Sequence, residues 1–253
     1  MAQVASLLAF CADLAARLPT STDSAAIEAL FDDVTIHLRA VKIFWQKRSQ
    51  QQQLDVRGTQ TLHELECEAI SLWNLCTRLR REVSVNDAAS TATNGAVGMR
   101  KSLLLRCRVF AFLLIDAARR SVGAEGEKKK KKRSEVVAVE DLTYLLRLAL
   151  KAARSCIEGG GQELELALGC LQKAVDYIKE VKEGKCPREY EGEFRGMETE
   201  YFVLRTVLVG FRHLPPLSLS LALISVLTFF HVSPGKKIDL TLPSTCTARQ
   251  ETP

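Results

Sequence analysis

Residues 139–182 read VEDLTYLLRLALKAARSCIEGGGQELELALGCLQKAVDYIKEVK, and this stretch decides the fold. On both sides of the glycine triplet, apolar residues recur at intervals of three and four, which is the period of one face of an α-helix. The spacing predicts one helix that ends near residue 158 and a second that begins near residue 163. Because glycine readily ends helices, the triplet predicts the turn of a helix hairpin.

The hairpin has part of the pattern of a tetratricopeptide unit, in which two antiparallel helices cross at small residues within about 34 residues. Its second helix has Ala167, Leu171 and Ala174 at the required spacing, and its first helix has small residues such as Ala149 and Ala152. The early Trp and Leu-Gly positions are not met, so an ordinary Ala/Leu hairpin is the alternative. We expect an all-α fold in which antiparallel helix pairs stack as a tetratricopeptide-like solenoid.

Four further helices are predicted upstream, and they form an N-terminal helical region over residues 1–120. The third has the clearest period, and the fourth is apolar nearly all round, which predicts a central position. The stripe of the third helix is Leu62, Leu65, Ala69, Leu72, Cys76 and Leu79, and that of the fourth is Leu103, Leu104, Cys107, Phe110, Leu113, Leu114 and Ala117.

Three stretches lack an apolar period and are predicted to be linkers: residues 84–98, residues 121–137 and residues 183–196. The second is rich in lysine and glycine and is expected to be disordered. It separates the N-terminal region from tetratricopeptide-like helix pairs over residues 138–212. Within these, a helix that begins near Met197 would open a further pair.

Residues 213–253 form an atypical apolar tail. Residues 214–235 carry no Asp, Glu, Lys or Arg, and this length could span a bilayer as a helix. Three interpretations compete: a membrane anchor that uses residues 214–232, a buried terminal helix, and sequence that is not native to the fold, such as a translated intron. We favour the third, because the tail interrupts the repeat pattern in mid-helix and ends in Thr-, Ser- and Pro-rich sequence.

The net charge of +5 comes from one basic run, which consists of Lys128, Lys129, Lys130, Lys131, Lys132 and Arg133. Without that run, the 35 Lys and Arg fall to 29, against 30 Asp and Glu. A duplex-binding domain would spread its cations over one face, so direct sequence-specific nucleic-acid binding is not expected. The density of the run and its linker setting favour a nuclear import signal, and a solvated loop without function is the alternative.

No pattern in the sequence predicts catalysis, a cofactor or a metal site. The eight cysteines include no C-x-x-C pair and have no histidine at zinc-ligand spacing. Most lie on apolar helical faces, which predicts reduced thiols that pack as small hydrophobic residues. His37 and His63 are expected on polar faces. We therefore expect a non-enzymatic protein without a small-molecule substrate.

Four segments together resemble the N-terminal part of a known family. They are LWNLCTRLRRE at 72–82, VFAFLLIDAAR at 109–119, YLLRLALKAAR at 144–154 and YFVLRTVL at 201–208. These segments are similar to the fungal meiotic scaffold of the Zip-four/Spo-twenty-two type, a family of long tetratricopeptide solenoids. The resemblance covers roughly residues 30–210 and is most specific in the Leu-Trp-Asn-Leu and Phe-Ala-Phe-Leu-Leu blocks.

The resemblance implies a nuclear, chromosome-associated scaffold whose partners are other proteins of the synapsis and crossover machinery. It implies no catalytic or cofactor-binding residue, and it does not indicate which residues bind partners. One alternative is a generic tetratricopeptide adaptor, in which Arg147, Lys151 and Arg154 would grip a terminal carboxylate. The other is a tail-anchored membrane protein that uses residues 214–232, although membrane association is the less favoured reading.

Overall fold

The computed structural model describes residues 2–21, 23–48, 56–89, 94–123, 131–184 and 186–213. These residues form seven α-helices and one short 3-10 turn, and no strand occurs among them. The all-α class predicted from the sequence is confirmed. The helices are α1 (Ala2–Thr20), α2 (Ser24–Arg48), α3 (Val56–Ala89), α4 (Asn94–Gly123), α5 (Lys131–Gly159), α6 (Leu164–Glu183) and α7 (Arg188–His213), and the 3-10 turn Gly161–Glu163 joins α5 to α6.

The helices pack as neighbouring pairs. α3 lies along α4 and α5 lies along α6, and these two contacts are the most extensive in the described part of the chain. α1 packs on α3, and α2 packs on α4. α4 also packs on α5, and α7 packs on both α5 and α6. Each element thus covers an apolar face of its neighbours, which is how a helical-repeat stack buries a continuous core. The fold is helical-repeat-like, and α7 occupies the place of the first helix of a further pair.

The predicted stripes of α3 and α4 form the centre of the core. All six stripe residues of α3, from Leu62 to Leu79, are buried. In α4, every side chain from residue 103 to residue 118 is buried. α4 can be apolar nearly all round because it contacts α2, α3 and α5 and, less extensively, α6. The prediction that this helix is central is therefore confirmed.

The hairpin of α5 and α6 forms where the glycine triplet predicts it. Gly160 (φ 67°) and Gly161 (φ 53°) adopt the left-handed backbone conformation that other residues disfavour. Gly159 is also confined, since a Cβ at this position would lie 2.7 Å from Leu105 Cδ1 of α4. The small residues expected where the two helices cross are buried, namely Ala149, Ala152, Ala153, Ala167 and Ala174.

The linker predicted over residues 183–196 is largely wrong, because α7 begins at Arg188. Phe194 and Met197 are buried and extend the apolar stripe of this helix upstream at the helical interval. The linker was predicted because this stretch contains glycines, but Gly196 lies inside α7. A Cβ at this position would meet nothing within 4 Å. Tertiary packing of the stripe therefore outweighs the low helix propensity of glycine.

Two other helices also extend into predicted linkers. α3 continues to Ala89 and α4 begins at Asn94, so most of the linker predicted over residues 84–98 is helical. α5 begins at Lys131, inside the basic linker predicted over residues 121–137, of which residues 124–130 lie outside the described residues. Lys131, Lys132 and Glu135 at the start of α5, and Ala88 and Ala89 at the end of α3, favour helix even without an apolar stripe.

Candidate interaction surface

An apolar groove with a volume of about 340 Å³ runs between α6 and α7, and we refer to it as the α6–α7 groove. Its walls are mostly aliphatic or aromatic, and only Gln172 and Arg205 add a polar end group apart from one tyrosine hydroxyl. Such a surface suits a stripe of apolar side chains better than a charged ligand. The lining residues are Leu168, Leu171, Gln172, Val175, Tyr201, Arg205, Leu208 and Val209.

Part of the apolar surface of the groove is left uncovered by the described helices. Leu168 belongs to the stripe that predicts α6, yet its side chain is 38% exposed. Val209 of α7 is 50% exposed, whereas Leu171 and Leu208 on the inner side of the same helices are buried. Leu168 therefore lies on a side of the α6 stripe that the described helices leave open.

The basic residues of α5 that a carboxylate-binding adaptor would use lie beside α7. Arg154 forms an ion pair of 2.6 Å with Glu200, and Arg147 forms one with Glu193. Burial, and then the neighbouring Arg147, lowers the pKa of Lys151. Burial also raises the pKa of Glu200, although Arg154 opposes this shift. These cations hold α7 on α5, so a terminal carboxylate gripped here would have to displace glutamates of the chain itself.

Arg106, a charged residue within the buried part of α4, reaches the turn of the hairpin. Its Nε lies 3.3 Å from Oε1 of Glu163, and its guanidinium carbon lies 4.1 Å from the ring centre of Phe31. Ser102 donates a hydrogen bond to the same carboxylate oxygen. Because Arg106 and Glu163 are both buried, each would be left as an uncompensated charge without the other. The contact fixes the turn against α4.

Arg108 connects α4 to α3 and α5. Its guanidinium carbon lies 4.4 Å from the ring centre of Trp73, and it donates a hydrogen bond of 2.9 Å to Oγ of Ser155. Burial, and then the nearby Arg80, lowers the pKa of Arg108 to about 10. Arg80 donates to the same hydroxyl at 2.6 Å and pairs with Glu158 at 2.7 Å. Two guanidinium groups from different helices thus converge on one serine.

Asp116 connects α4 to α6. Lys173 donates to its Oδ2 at 2.7 Å, and Arg120 lies 3.5 Å from its Oδ1. Burial, and then the Asp116 carboxylate, holds the pKa of Tyr177 well above its usual value. The charged side chains within the buried part of α4 therefore face groups of neighbouring helices, an arrangement that favours a structural role for them.

Three free thiols, Cys11, Cys76 and Cys107, lie near one another where α1, α3 and α4 meet. Burial raises the pKa of Cys11 to about 12 and that of Cys107 well above its usual value, and it raises the pKa of Cys156 to about 12. The thiolate is the reactive form, so these groups are inert near neutral pH. Among the described residues, no group of three or more His, Cys, Asp or Glu is placed to hold a metal ion.

His37 packs in an interface rather than on a polar face, so that prediction is wrong. Its ring stacks on Phe10 with centroids 3.5 Å apart, and Phe110 meets it edge-on at 6.4 Å. Its Nδ1 lies 2.8 Å from the carbonyl oxygen of Asp33. The flat ring therefore helps to join α1, α2 and α4. His63 is exposed, as predicted.

The predicted import signal spans the start of α5. The backbone of Lys131, Lys132 and Arg133 is helical, while Lys128, Lys129 and Lys130 lie outside the described residues. Residues 214–253 also lie outside them, together with the three interpretations of the tail. None of the described helices is both long and apolar enough to cross a membrane.

Neither a family model, nor a curated protein, nor a solved structure matches this chain. The class that the structure itself defines is an all-α protein of packed helix pairs with helical-repeat-like stacking.

Proposed function

We propose that this protein is a non-enzymatic scaffold, which brings together other proteins of meiotic chromosome synapsis and crossover formation in the nucleus. The observation that carries the proposal is the stacking of its helices as successive packed pairs. Helical-repeat stacks of this kind offer extended surfaces on which protein segments bind.

The placement of the charged residues supports a structural rather than a chemical use of the core. Arg106 pairs with Glu163, Arg108 with Ser155, and Asp116 with Lys173 of α6. Each of these contacts joins α4 to another element, and the nearby thiols have raised pKa values. A catalytic site usually has polar groups that converge on a cleft, with pKa values tuned toward the working pH.

The meiotic part of the proposal rests on the resemblance of the four sequence segments. Their most specific blocks supply buried residues of the α3–α4 pair, including Leu72, Trp73, Phe110 and Phe112. These blocks therefore belong to the core of this chain and do not indicate a binding surface. The partner-binding residues accordingly form no part of the proposal.

Nuclear entry is assigned to the basic run that ends at Arg133. A dense cluster of lysines and arginine is the chemistry that an import receptor recognises. Replacing all six residues of the run, positions 128–133, with alanine removes the charge and keeps helix propensity for the part that belongs to α5.

The experiment is localisation of the tagged full-length chain on chromosome spreads from meiotic fungal cells. We expect foci on synapsing chromosomes for the native sequence, and cytoplasmic signal for the alanine variant of residues 128–133. A heterologous import signal fused to that variant should restore the foci. Native chain that enters the nucleus but stays off the chromosomes, or that pellets with membranes after carbonate extraction, would refute the proposal.

The generic adaptor is less well supported. Arg147 and Arg154, two of the three cations that it needs, already pair with Glu193 and Glu200 of α7. A peptide with a free carboxyl terminus should therefore bind no better than its amidated counterpart, which titration calorimetry can measure directly.

A further inference from the structure

The α6–α7 groove occupies the position at which the stack would place its next helix. α4 lies against the two helices that precede it in the chain, α3 and α2. By the same arrangement, a helix that follows α7 would lie against α7 and α6. The groove is the surface between those two helices, so its place in the stack indicates a helical occupant.

The groove has two exposed apolar side chains that a further helix would bury. Leu168 and Val209 are 38% and 50% exposed, and they flank Leu171 and Leu208, which are buried. The open part therefore continues the apolar stripes of both helices, and covering it would extend the core by one layer. Its walls are mostly apolar and its one charged lining group is the guanidinium of Arg205, so the surface suits an apolar occupant that carries no cation of its own.

The sequence directly after α7 has the required chemistry. Pro215 and Pro216 follow the end of α7 at His213, and proline favours a chain reversal after a helix. Residues 217–230 contain no Asp, Glu, Lys or Arg, and Leu219, Leu223 and Val226 recur at helical spacing, followed by Phe230. As a helix the segment would be about 21 Å long, enough to cover the two to three turns that line the groove.

In place of the non-native interpretation that the sequence pattern alone favours, we propose that residues 217–230 of this chain pack as a helix in the α6–α7 groove and complete the pair that α7 opens. The connection, residues 214–216, matches in length the short loops that join antiparallel neighbouring helices. The covalent link also gives the segment a high effective concentration at the groove, which favours it over a separate chain. The proposal concerns the internal packing of the chain and is independent of its proposed meiotic partners.

The test is hydrogen–deuterium exchange of the full-length chain, read by mass spectrometry in the peptides that cover residues 217–230. We expect these amides to exchange at least tenfold more slowly than an unstructured peptide, at a rate independent of protein concentration. Leu168→Asp and Val209→Asp should each remove most of that protection, because both would place a charge beneath the helix.

Val85→Asp is the matched control. Val85 is 69% exposed on α3 and lies outside the groove, so its substitution should leave the exchange of residues 217–230 unchanged. Amides of α4 serve as an internal control for folding, and they should stay protected in all three variants.

Three outcomes would overturn the proposal. The first is unprotected exchange of residues 217–230 in the native chain. The second is protection that increases with concentration together with dimer mass, which would assign the groove to a second copy. The third is protection that appears only when phosphatidylcholine vesicles are added, which would make the segment a membrane anchor.

Discussion

α4 and α7 are both long helices with apolar stripes, yet the structure uses them differently. Every side chain of α4 from residue 103 to residue 118 is buried, including Arg106, Arg108 and Asp116. α7 buries one stripe, which runs from Phe194 to Leu208, and its other side chains are exposed or half-buried. The difference follows from their neighbours, since α4 has helices on several sides and α7 contacts only α5 and α6 among the described helices.

The comparison teaches that place in the stack, more than sequence pattern, decides what a helix contributes to stability. Each charged side chain of a central helix needs a partner of opposite charge or a hydrogen-bond partner, because burial removes solvent from every side of the helix. A helix with one packed face tolerates glycine, exposed aliphatic residues and solvated ion pairs. Four predictions test this contrast, and each compares one substitution with a matched substitution elsewhere in the chain.

The largest effect is expected for Phe110→Ala in α4. Phe110 is fully buried and meets Phe10 edge-on at a centroid distance of 5.4 Å. The cavity should lower the free energy of unfolding by about 3–5 kcal/mol. Phe202→Ala in α7 should change it by less than about 0.5 kcal/mol, because Phe202 is 54% exposed. Urea unfolding followed by circular dichroism measures both, and equal losses would contradict the contrast.

Glu163→Gln is expected to have the next largest effect. It leaves Arg106 of α4 as a buried cation without its anion and should lower the free energy of unfolding by about 3 kcal/mol. Its match is Glu191→Gln, which breaks the exposed Glu191–Arg195 pair of α7 (2.5 Å). That change should amount to about 0.5 kcal/mol or less. Urea unfolding of the two variants at the same pH measures both changes. A loss of unfolding free energy for Glu191→Gln as large as that for Glu163→Gln would refute the prediction.

Ionisation of buried thiols should weaken the fold at alkaline pH. The pKa of Cys11 is raised from 9.0 to about 12, so between these values the unfolded chain binds fewer protons than the folded chain. Stability is therefore unaffected below pH 9 and falls as the pH rises above it, by about 1.4 kcal/mol per pH unit for this thiol. Unfolding curves at several alkaline pH values should show a shallower decline for Cys11→Ala than for the native chain.

The control for the thiol experiment is Cys186→Ala, just before α7. Cys186 is only half-buried, and its substitution should leave most of the alkaline decline in place. An identical slope for the native chain and Cys11→Ala would show that burial does not hold the Cys11 thiol protonated.

The smallest predicted effect is an increase in stability. Gly196 lies within α7 and a Cβ there meets nothing within 4 Å, so Gly196→Ala should raise the free energy of unfolding by about 0.5–1 kcal/mol. Gly160→Ala should do the opposite, since Gly160 has φ 67° in the turn beside α4. The thermal midpoints of the two variants should shift in opposite directions, and a lower midpoint for Gly196→Ala would indicate that α7 is more tightly covered than the structure shows.

Much of the fold could be predicted because it depends on local periodicity. The α3 stripe from Leu62 to Leu79 and the all-round apolar sequence of α4 reflect the helical repeat directly. The hairpin turn at Gly160 is equally local, and so is the helix cap at Asp23, whose side chain accepts from the backbone N–H of Ala26 at 2.8 Å.

The remaining features depend on contacts between distant parts of the chain. Arg106 and Glu163 are 57 residues apart, and no local pattern marks them as a buried pair. The α6–α7 groove was likewise not predictable, since Leu168 looks like any other stripe residue until its neighbours are known. The one available signal was the stripe of α6 itself, which is wider than two neighbouring helices can cover.

The contact of Glu163 with α4 has a mechanical consequence. The buried Arg106–Glu163 pair joins the turn of the hairpin to the central helix α4. The Arg147–Glu193 and Arg154–Glu200 pairs, which join α7 to α5, are partly exposed to solvent. A tension applied between α4 and the end of α7 at His213 should therefore detach α7 before it separates the hairpin from α4. Force spectroscopy would record this as a weak early rupture followed by a single strong one.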